Sequence, residues 1–340
     1  MNMALQQLQE RFQPVIEEGL QDFIRSLNFH STRELEEMLT YHMGWEAFEG
    51  QSPARGKRIR PLIVLLACGA CETEPEKALP GAIAVELLHN FTLIHDDIED
   101  NSPLRHGRPT LWAHWGVPQA INAGDALFNS AQLAILALHQ NCGAEITLEA
   151  SQQLNQACFH LIQGQYLDIA FETNPQVTPE IYFEMIEGKT AALLAFAAAL
   201  GGLTAGSNQD IQQQLSAYGK SLGLAFQIHD DYLGIWGDPA QTGKSTVSDL
   251  MTHKKTLPAL YGLTHCADFR KLWERSELSV NDVTEMTKLL AGCGAQTYTR
   301  QQAENWTRQA YQHLGDLFTP RNDYAEALFE LTGLLLNRNI

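Results

Sequence analysis

The chain has 340 residues, of which 44% are hydrophobic, and this size and composition suit one large globular domain or two ordinary ones. Its 23 basic and 40 acidic residues give a formal net charge of −17, which excludes sequence-independent binding of nucleic acid through a basic surface. An anionic ligand would therefore have to be held by a local cluster of cations or by metal ions.

Two segments bear on targeting. Residues 1–9 are polar and rich in Gln, without the basic and apolar regions of a secretory signal. The longest uncharged stretch, residues 190–209, could just reach across a bilayer, but it is rich in Ala and Gly and ends in Ser, Asn and Gln. We predict that it forms a buried helix followed by a turn. The expected protein is cytoplasmic and not integral to a membrane.

Apolar residues recur at spacings of three and four through most of the chain, and no series of alternating Val, Ile and Thr runs stands out. The sequence therefore predicts an all-α fold, with its clearest helices at 33–42, 80–99, 120–139, 148–171, 179–203, 210–235 and 280–290. Long helices that are apolar nearly all round must be covered by others, as in a large bundle. Since no Ser-, Gly- or Pro-rich linker divides the chain, we predict one domain, 1–340, with a motif-bearing core at about 50–260 and helical edges at 1–30 and 265–340.

The densest basic run is Gly56-Lys57-Arg58-Ile59-Arg60-Pro61, which directly precedes an apolar helix. Taken alone, it could be a solvated turn. In an acidic chain, it is also a place where an anion could be bound.

The first acidic cluster is His-Asp-Asp-Ile-Glu-Asp at residues 95–100, where the helix predicted over 80–99 ends. Asp96 and Asp100 are four residues apart and share a helix face, which Thr92 extends backward. Two carboxylates on an inner face repel each other unless a cation compensates, and hard oxygen ligands at this spacing suit magnesium. Alone, the pattern would fit a solvated acidic helix end equally well.

A second acidic cluster repeats this arrangement at residues 226–234, Phe-Gln-Ile-His-Asp-Asp-Tyr-Leu-Gly, with paired acids near the end of another apolar helix. Cations follow both clusters in the chain: Arg105 and Arg108 after the first, and Lys244, Lys254 and Lys255 after the second. Paired acids with nearby Arg and Lys suit the binding of a polyanion between metal ions and cationic donors.

Three further sequence patterns each match only part of a known functional motif. Cys68 and Cys71 form a C-x-x-C pair without a second pair, in an apolar run where buried cysteines are common. Glu86-Leu87-Leu88-His89 matches one half of a carboxylate di-iron site, which needs two such motifs. Residues 238–245 resemble a nucleotide P-loop but begin with Asp238 instead of glycine and follow a predicted helix instead of a strand. We therefore set zinc, redox, di-iron and nucleotide chemistry aside.

Together, the motifs resemble the trans-isoprenyl diphosphate synthase (polyprenyl synthetase) family. The matching segments are G-K-R-I-R-P at 56–61, H-N-F-T-L-I-H-D-D-I-E-D at 89–100, L-R-H-G-R-P-T at 104–110, G-K-T-A-A-L-L at 188–194, F-Q-I-H-D-D at 226–231 and G-K-S-T-V-S-D-L…K-K-T-L-P at 243–258. The resemblance implies an all-α bundle with a deep central cavity, two acidic motifs facing each other at its mouth, three Mg²⁺ ions and a homodimer. It implies a prenyltransferase that ionises an allylic diphosphate and couples it head to tail with isopentenyl diphosphate.

The resemblance also implies residue roles. Mg²⁺ would be bound by Asp96, Asp100 and Asp230, with Asp97 and Asp231 in support. The allylic diphosphate would be surrounded by Arg105, Lys189, Thr190, Gln227, Lys244 and Lys254. Isopentenyl diphosphate would be held by Lys57, Arg60, His89 and His106. Catalysis would depend on Asp96, Asp97, Asp100, Arg105, Lys189 and Asp230.

Two positions depart from the family pattern. Gly234 stands where many members have a third acid in the second motif, and His106 stands where many have a second Arg after the first motif. The first departure weakens the expected support of the third Mg²⁺, and the second makes one cation dependent on pH. Asp238 and Arg108 are the residues that could compensate.

Product length in the family depends on the residues four and five before the first acidic motif, here Thr92 and Phe91. An aromatic residue at the second of these positions resembles short-chain synthases; the alternative is that Phe91 is an ordinary core residue. We predict geranylgeranyl diphosphate (C20) as the first candidate product and farnesyl diphosphate (C15) as the second. The rival functions are a class I terpene cyclase and a non-catalytic partner subunit of a two-component synthase.

Overall fold

The computed structural model describes residues 3–45, 56–174, 176–237 and 248–336. Helices form nearly all of the regular structure in this part of the chain, which confirms the predicted all-α fold. In chain order they are α1 Met3–Ser26, α2 Arg33–His42, α3 Ile59–Ala70, α4 Leu79–Glu99, α5 Leu111–Trp115, α6 Val117–Leu136, α7 His139–Cys142, α8 Ala144–Thr173, α9 Pro179–Ile186, α10 Ala192–Thr204, α11 Gln209–Trp236, α12 Ser248–Met251, α13 Leu257–His265, α14 Ala267–Trp273, α15 Val280–Gly292, α16 Ala295–Leu317 and α17 Asp323–Leu336.

Two local features differ from the sequence prediction. The helix predicted over 179–203 contains a π-helical turn, Glu187–Ala191, between α9 and α10. A short antiparallel hairpin lies between α4 and α5, formed by β1 Leu104–Arg105 and β2 Arg108–Pro109. Both features lie within motifs that the family resemblance singles out.

The contacts within the chain define two compact units. Unit 1 consists of Met1–Asn155, Ala197–Gln212 and Arg321–Ala327, and unit 2 of Gln156–Phe196, Gln213–Pro320 and Leu328–Ile340. The single-domain organisation stays a prediction.

In unit 1, α4 packs against α3 and α6 and is buried over most of its length. A buried ion cluster ties it to the basic run. The Arg58 guanidinium donates to Glu17 at 2.7 Å, to Glu86 at 2.8 Å and to the Met43 carbonyl at 3.0 Å. Arg58 itself has a left-handed backbone (φ 48°) at the residue before α3. Burial of these charges is tolerated because the guanidinium pairs with both carboxylates, and the cluster fixes α1 and the basic run against α4.

In unit 2, α11 is the buried centre. One apolar cluster joins its residues Leu224 and Ile228 to Tyr182 of α9 and Leu257 of α13. Glycines let its backbone approach its neighbours closely, since a Cβ at Gly219 or Gly223 would meet the backbone of residues 194–195 or 191. Gln227 follows one turn later, so this glycine face brings it to the π turn.

The segment Pro179–Thr204 is long and apolar enough to cross a membrane, but 72% of its most apolar window is buried inside the protein. Burial of this extent is what a core helix requires. The helix ends at Thr204 and is followed by a turn at residues 205–206, as the composition predicts.

Candidate active site

The first acidic motif lies at the C-terminal end of α4. Asp96 is half-buried and Asp100 is exposed just beyond the last helical residue, with the Asp100 N–H donating to the Asp96 carbonyl at 2.8 Å. The C-terminal end of a helix already carries a partial negative charge, so carboxylates are unfavourable there without a compensating cation. These two side chains are therefore suited to share a bound cation, as the sequence predicts.

Asp97 has a different environment from its neighbours. It is buried and accepts three hydrogen bonds from Arg105, two from Nε at 3.1 and 2.9 Å and one from Nη2 at 2.9 Å. Burial raises the pKa of Asp97, while the hydrogen bonds and charge of Arg105 oppose that rise. The Asp97 carboxylate thus binds the guanidinium of Arg105 and holds that side chain in place.

The β1–β2 hairpin presents Arg105 to Asp97. His106 (φ 51°) and Gly107 (φ 76°) form its two-residue turn, where both residues have positive φ, as in type I′ turns. The Arg108 guanidinium stacks over the Tyr41 ring at 4.1 Å, and the Tyr41 hydroxyl donates to the Pro109 carbonyl at 2.9 Å. The hairpin is therefore fixed to α2, with His106 exposed at its tip. A His-Gly pair between two arginines is the signal that could have predicted it.

The three cations of the basic run have different environments. Lys57 is exposed, Arg58 belongs to the buried ion cluster, and the Arg60 Nη1 lies 3.1 Å from Nε2 of His89. Burial and then the charge of Arg60 hold the pKa of His89 well below its usual range. His89 is therefore neutral and accepts the hydrogen bond from Arg60. Arg60 and His89 are brought together, as their common predicted role requires.

A residue that sequence reasoning missed is His42, at the end of α2. It lines one pocket of unit 1 with Asp97, Arg105 and His106. Burial, together with the charges of Arg105 and Arg58, lowers its pKa to about 3. Its Nε2 is buried and has no hydrogen-bond partner among the described residues. No motif marks His42 in the sequence, because only the folded chain brings α2 to the hairpin.

The two candidate chain-length residues lie one turn before Asp96 on α4. The Phe91 ring packs edge-on against His95, with centroids 4.8 Å apart, and against Phe128 of α6 at 5.3 Å. Thr92 is buried and its hydroxyl donates to the His89 carbonyl at 2.7 Å. Phe91 thus belongs to an aromatic group immediately before the acidic motif.

The second acidic motif, in unit 2, shows the same division between its two acids. Asp230 is half-buried, whereas Asp231 is buried and accepts hydrogen bonds from the Tyr182 hydroxyl at 2.5 Å, from Gln227 Nε2 at 3.0 Å and from the Leu257 N–H at 3.0 Å. Burial raises the pKa of Asp231 to about 6, against the opposing effect of these donors. Asp231 therefore orients Gln227 and the start of α13 around the motif.

The π turn carries Lys189 and Thr190. Lys189 forms an ion pair with Asp168 of α8, and the Thr190 hydroxyl donates to Gln227 Oε1 at 2.8 Å. Gly164 of α8 and Gly188 of the turn pack backbone to backbone, so that a Cβ on either would overlap the other segment. π turns are frequent at functional sites, and here the turn directs consecutive polar side chains to α8 and α11.

The remaining predicted cations lie after α11. Lys254 is exposed and its charge lowers the pKa of Asp231, while Lys255 donates to the Phe171 carbonyl. Lys244 and Asp238 lie outside the described residues.

Comparisons with known proteins agree with these motifs. The family model described as "Polyprenyl synthetase" matches residues 45–291. A (2E,6E)-farnesyl diphosphate synthase of Mycobacterium tuberculosis is 43% identical over 230 residues, which are 67% of this chain; the chain spans 63% of that relative's length. The crystal structure of a geranylgeranyl pyrophosphate synthetase from Pyrococcus horikoshii has a TM-score of 0.88 at 30% identity, covering 99% of this chain and 98% of its own. The crystal structure of a polyprenyl synthase from Caulobacter crescentus, complexed with calcium and isoprenyl diphosphate, has a TM-score of 0.81 at 28% identity. The match covers 99% of this chain and 98% of that structure's chain.

Proposed function

Because this chain belongs to the polyprenyl synthetase family, we propose that it is a short-chain trans-prenyl diphosphate synthase that condenses isopentenyl diphosphate with an allylic diphosphate. The observation that carries the proposal is the matched construction of the two acidic motifs. In each, the first acid is half-buried and the second is buried and hydrogen-bonded to a polar side chain, Arg105 or Gln227, of the predicted diphosphate site.

The cofactor in this proposal is Mg²⁺, with three ions bound by Asp96, Asp100 and Asp230. The donor set fits: the first motif provides hard carboxylate oxygens at a negatively charged helix end, and the first acid of each motif is only half-buried. A related polyprenyl synthase has been crystallised with calcium and isoprenyl diphosphate, which supports a divalent cation in the family. When bound, the ions would neutralise the diphosphate as it leaves.

The allylic diphosphate would be bound by cations and polar groups that the motifs hold in place. Asp97 fixes Arg105 by its three hydrogen bonds, and Thr190 and Asp231 fix Gln227 from both ends of its amide. Lys189 would exchange part of its interaction with Asp168 for the diphosphate. Lys254 and Lys244 would complete this group. Side chains that are already oriented lose little entropy when they meet the developing charge, so they favour ionisation of the C–O bond.

Isopentenyl diphosphate would be bound by Lys57, Arg60, His89 and His106. A neutral His89 accepts from Arg60 and so directs the rest of that guanidinium toward its ligand. The alkene then attacks the allylic cation, a proton is lost, and the released pyrophosphate is the expected base.

For the product, geranylgeranyl diphosphate is the first candidate and farnesyl diphosphate the second. The prenyl chain would extend from the diphosphate at Asp96 toward the preceding turn of α4, where Phe91 packs against Phe128. Relatives named as synthases of each product are similar to this chain, so they support a short product.

We also propose a homodimer that works in the cytoplasm. Two helices carry exposed apolar residues. On α8, Phe159, Ile162, Tyr166 and Ile169 form a stripe along one face; on α6, the pairs Val117/Ile121 and Leu133/Leu136 lie near its two ends. Stripes at helical spacing are expensive to leave in water, and a second copy of the chain would cover them.

One assay tests the activity. Purified full-length chain is incubated with Mg²⁺, labelled isopentenyl diphosphate and dimethylallyl, geranyl or farnesyl diphosphate, and the products are sized. We expect label in C20 or C15 diphosphates. Asp96→Asn should lower kcat by roughly 100-fold or more, whereas Glu99→Gln, an exposed acid in the same motif, should leave it nearly unchanged.

Two results would overturn the assignment. Absence of incorporation with every allylic substrate would favour a non-catalytic partner subunit. A hydrocarbon formed without isopentenyl diphosphate would identify a terpene cyclase.

A further inference from the structure

His42 of α2 belongs to none of the matched motifs, yet the fold places it among residues that do. It lines one pocket of unit 1 with Asp97, Arg105 and His106. This pocket lies where the last residue of α2 meets the β1–β2 hairpin and the end of α4. Two elements that carry motif residues and one that carries none therefore share a single pocket.

The Nε2 atom of His42 is buried and has no hydrogen-bond partner among the described residues. Buried polar atoms almost always have a partner in a folded protein, because burial removes their hydrogen bonds to water. In a pocket, the missing partner can be supplied by a ligand. Nε2 of His42 is therefore a candidate ligand-binding atom that no motif marks.

The groups around this atom suit an anion. Burial, with the charges of Arg105 and Arg58, lowers the pKa of His42 to about 3, so the ring is neutral. The one carboxylate of the pocket, Asp97, is bound by Nε and Nη2 of Arg105, and none of these hydrogen bonds uses Nη1. The pocket thus combines guanidinium groups with a neutral imidazole, a set that fits the oxygens of a phosphate group.

Of the two anionic substrates of the proposed reaction, the pocket belongs with isopentenyl diphosphate. Burial and then the charge of Arg60 lower the pKa of His89, and His42 adds to this effect. His42 therefore lies within electrostatic range of the Arg60–His89 pair. His106, which is assigned to the same substrate, lines the pocket itself.

We propose that His42 is a further binding residue for isopentenyl diphosphate, and that a diphosphate oxygen accepts a hydrogen bond from its Nε2. A neutral imidazole holds one proton on either ring nitrogen, so the bound anion selects the tautomer with the proton on Nε2. His42 thus adds a donor to a site where His106 stands in place of an Arg. This inference rests on the proposed function and extends its isopentenyl diphosphate site to a helix outside the motifs.

Steady-state kinetics on the full chain test this role. His42→Leu removes both ring nitrogens, so the KM for isopentenyl diphosphate should rise by roughly 10–100-fold, the usual effect of losing a hydrogen bond to a charged group. The KM for the allylic diphosphate should change little. His42→Gln, whose amide can place an N–H near the position of Nε2, should recover most of the loss. His139→Leu, at an exposed histidine of the same unit, should leave both KM values unchanged.

Binding without turnover is measured by ¹⁵N NMR of the histidine rings, with isopentenyl diphosphate alone and without divalent cations. The spectrum of His42→Leu identifies the signals of His42 by their loss. Isopentenyl diphosphate should move these signals in the wild type to those of an imidazole protonated on Nε2, while the signals of His139 stay in place. The unfolding temperature of each variant shows whether it is folded, and the wild-type spectrum decides the question if His42→Leu is not.

A normal KM for isopentenyl diphosphate in His42→Leu would overturn the inference, as would His42 signals that do not respond to this substrate. An equal rise of both KM values without recovery in His42→Gln would also overturn it, because that pattern indicates a structural role. The incorporation assay on the wild-type chain is read separately. A chain that makes prenyl diphosphates with unresponsive His42 signals refutes this inference and leaves the proposed function intact. A chain that incorporates no label while these signals respond supports the binding residue and refutes the proposed activity.

Discussion

At the scale of single residues, adjacent acids in the two motifs have opposite environments. Successive residues on a helix point about 100° apart, so one member of each pair faces inward and the other remains half-buried. The inward members, Asp97 and Asp231, would be costly to bury alone, and each is compensated by donors, chiefly Arg105 for one and Tyr182 for the other. In the proposed function, a double acid at each motif combines one carboxylate for a cation with one that orients the surrounding side chains.

His42, whose Nε2 is buried, should make the protein sensitive to acid. Its pKa of about 3 lies below the ordinary value of 6.5, so as pH falls the unfolded chain takes up a proton first. The stabilisation is complete above pH 6.5 and decreases as pH falls toward 3, by about 1.4 kcal/mol for each pH unit. Urea denaturation of wild type and His42→Asn at pH 6.5, 5.5 and 4.5 should show a shallower decline in the variant.

The matched control is His139→Asn, which changes an exposed histidine of the same unit. Its decline should parallel that of the wild type. Parallel declines in all three proteins would contradict the assigned protonation of His42.

At the scale of elements, the site in unit 2 depends on close backbone contacts. Gly164 and Gly188 bring α8 against the π turn, and Gly219 and Gly223 bring α11 against its other side. The turn is held between two helices, which explains how Lys189 reaches Asp168 while the adjacent Thr190 reaches Gln227. Small residues set the positions of the polar ones.

Gly164→Ala should separate α8 from the π turn. The added Cβ would overlap the backbone of Gly188 and Lys189, which cannot rotate away, so the variant should lose about 1–3 kcal/mol of unfolding free energy. Gly315→Ala in α16 is the control, because its Cβ would meet open space. There the higher helix propensity of Ala should add about 0.5–1 kcal/mol. Urea denaturation measures both, and a Gly164→Ala variant as stable as the control would refute the close contact.

At the scale of the whole molecule, a chain of net charge −17 is proposed to bind two anionic substrates. Long-range attraction cannot recruit them, because the summed field of the protein repels diphosphates. Affinity must come from metal ions and from cations at short range, such as Arg60 and Arg105. Binding should therefore depend far more on divalent cations than on the overall charge.

The exposed apolar residues of α6 and α8 predict that two copies of the chain associate, and the mass in solution tests this. Light scattering of the purified chain should give about twice its 37.9 kDa. Phe159→Glu, which places a charge at a position 61% exposed within the α8 stripe, should shift the mass toward one chain. Val280→Glu, at an equally exposed apolar residue of α15, should not. Equal masses for both variants would show that the stripe lies outside the interface.

Much of this arrangement could be predicted from the sequence. Apolar periodicity located α2 at the residues where it is found, and the acidic motifs were placed on helices as expected. The features that the sequence could not predict depend on contacts between distant segments of the chain. The π turn depends on the close approach of α8, and the environment of His42 depends on the hairpin. Asp249 packs against Gly234, which lies fifteen residues earlier in the chain. The hairpin itself had a local signal in His106-Gly107.

The buried ion cluster around Arg58 bears on how far the chain can be shortened. α1 has no predicted site residue, yet its Glu17 binds the guanidinium of Arg58, which also binds Glu86 of α4. Arg58 lies in the chain between Lys57 and Arg60, the cations proposed to bind substrate. Removal of α1 would take away the acceptor of the Arg58 Nε and leave the ion pair with Glu86. A truncated chain would lose one anchor of its basic run along with its first helix, so the motifs depend on a helix that lies outside them.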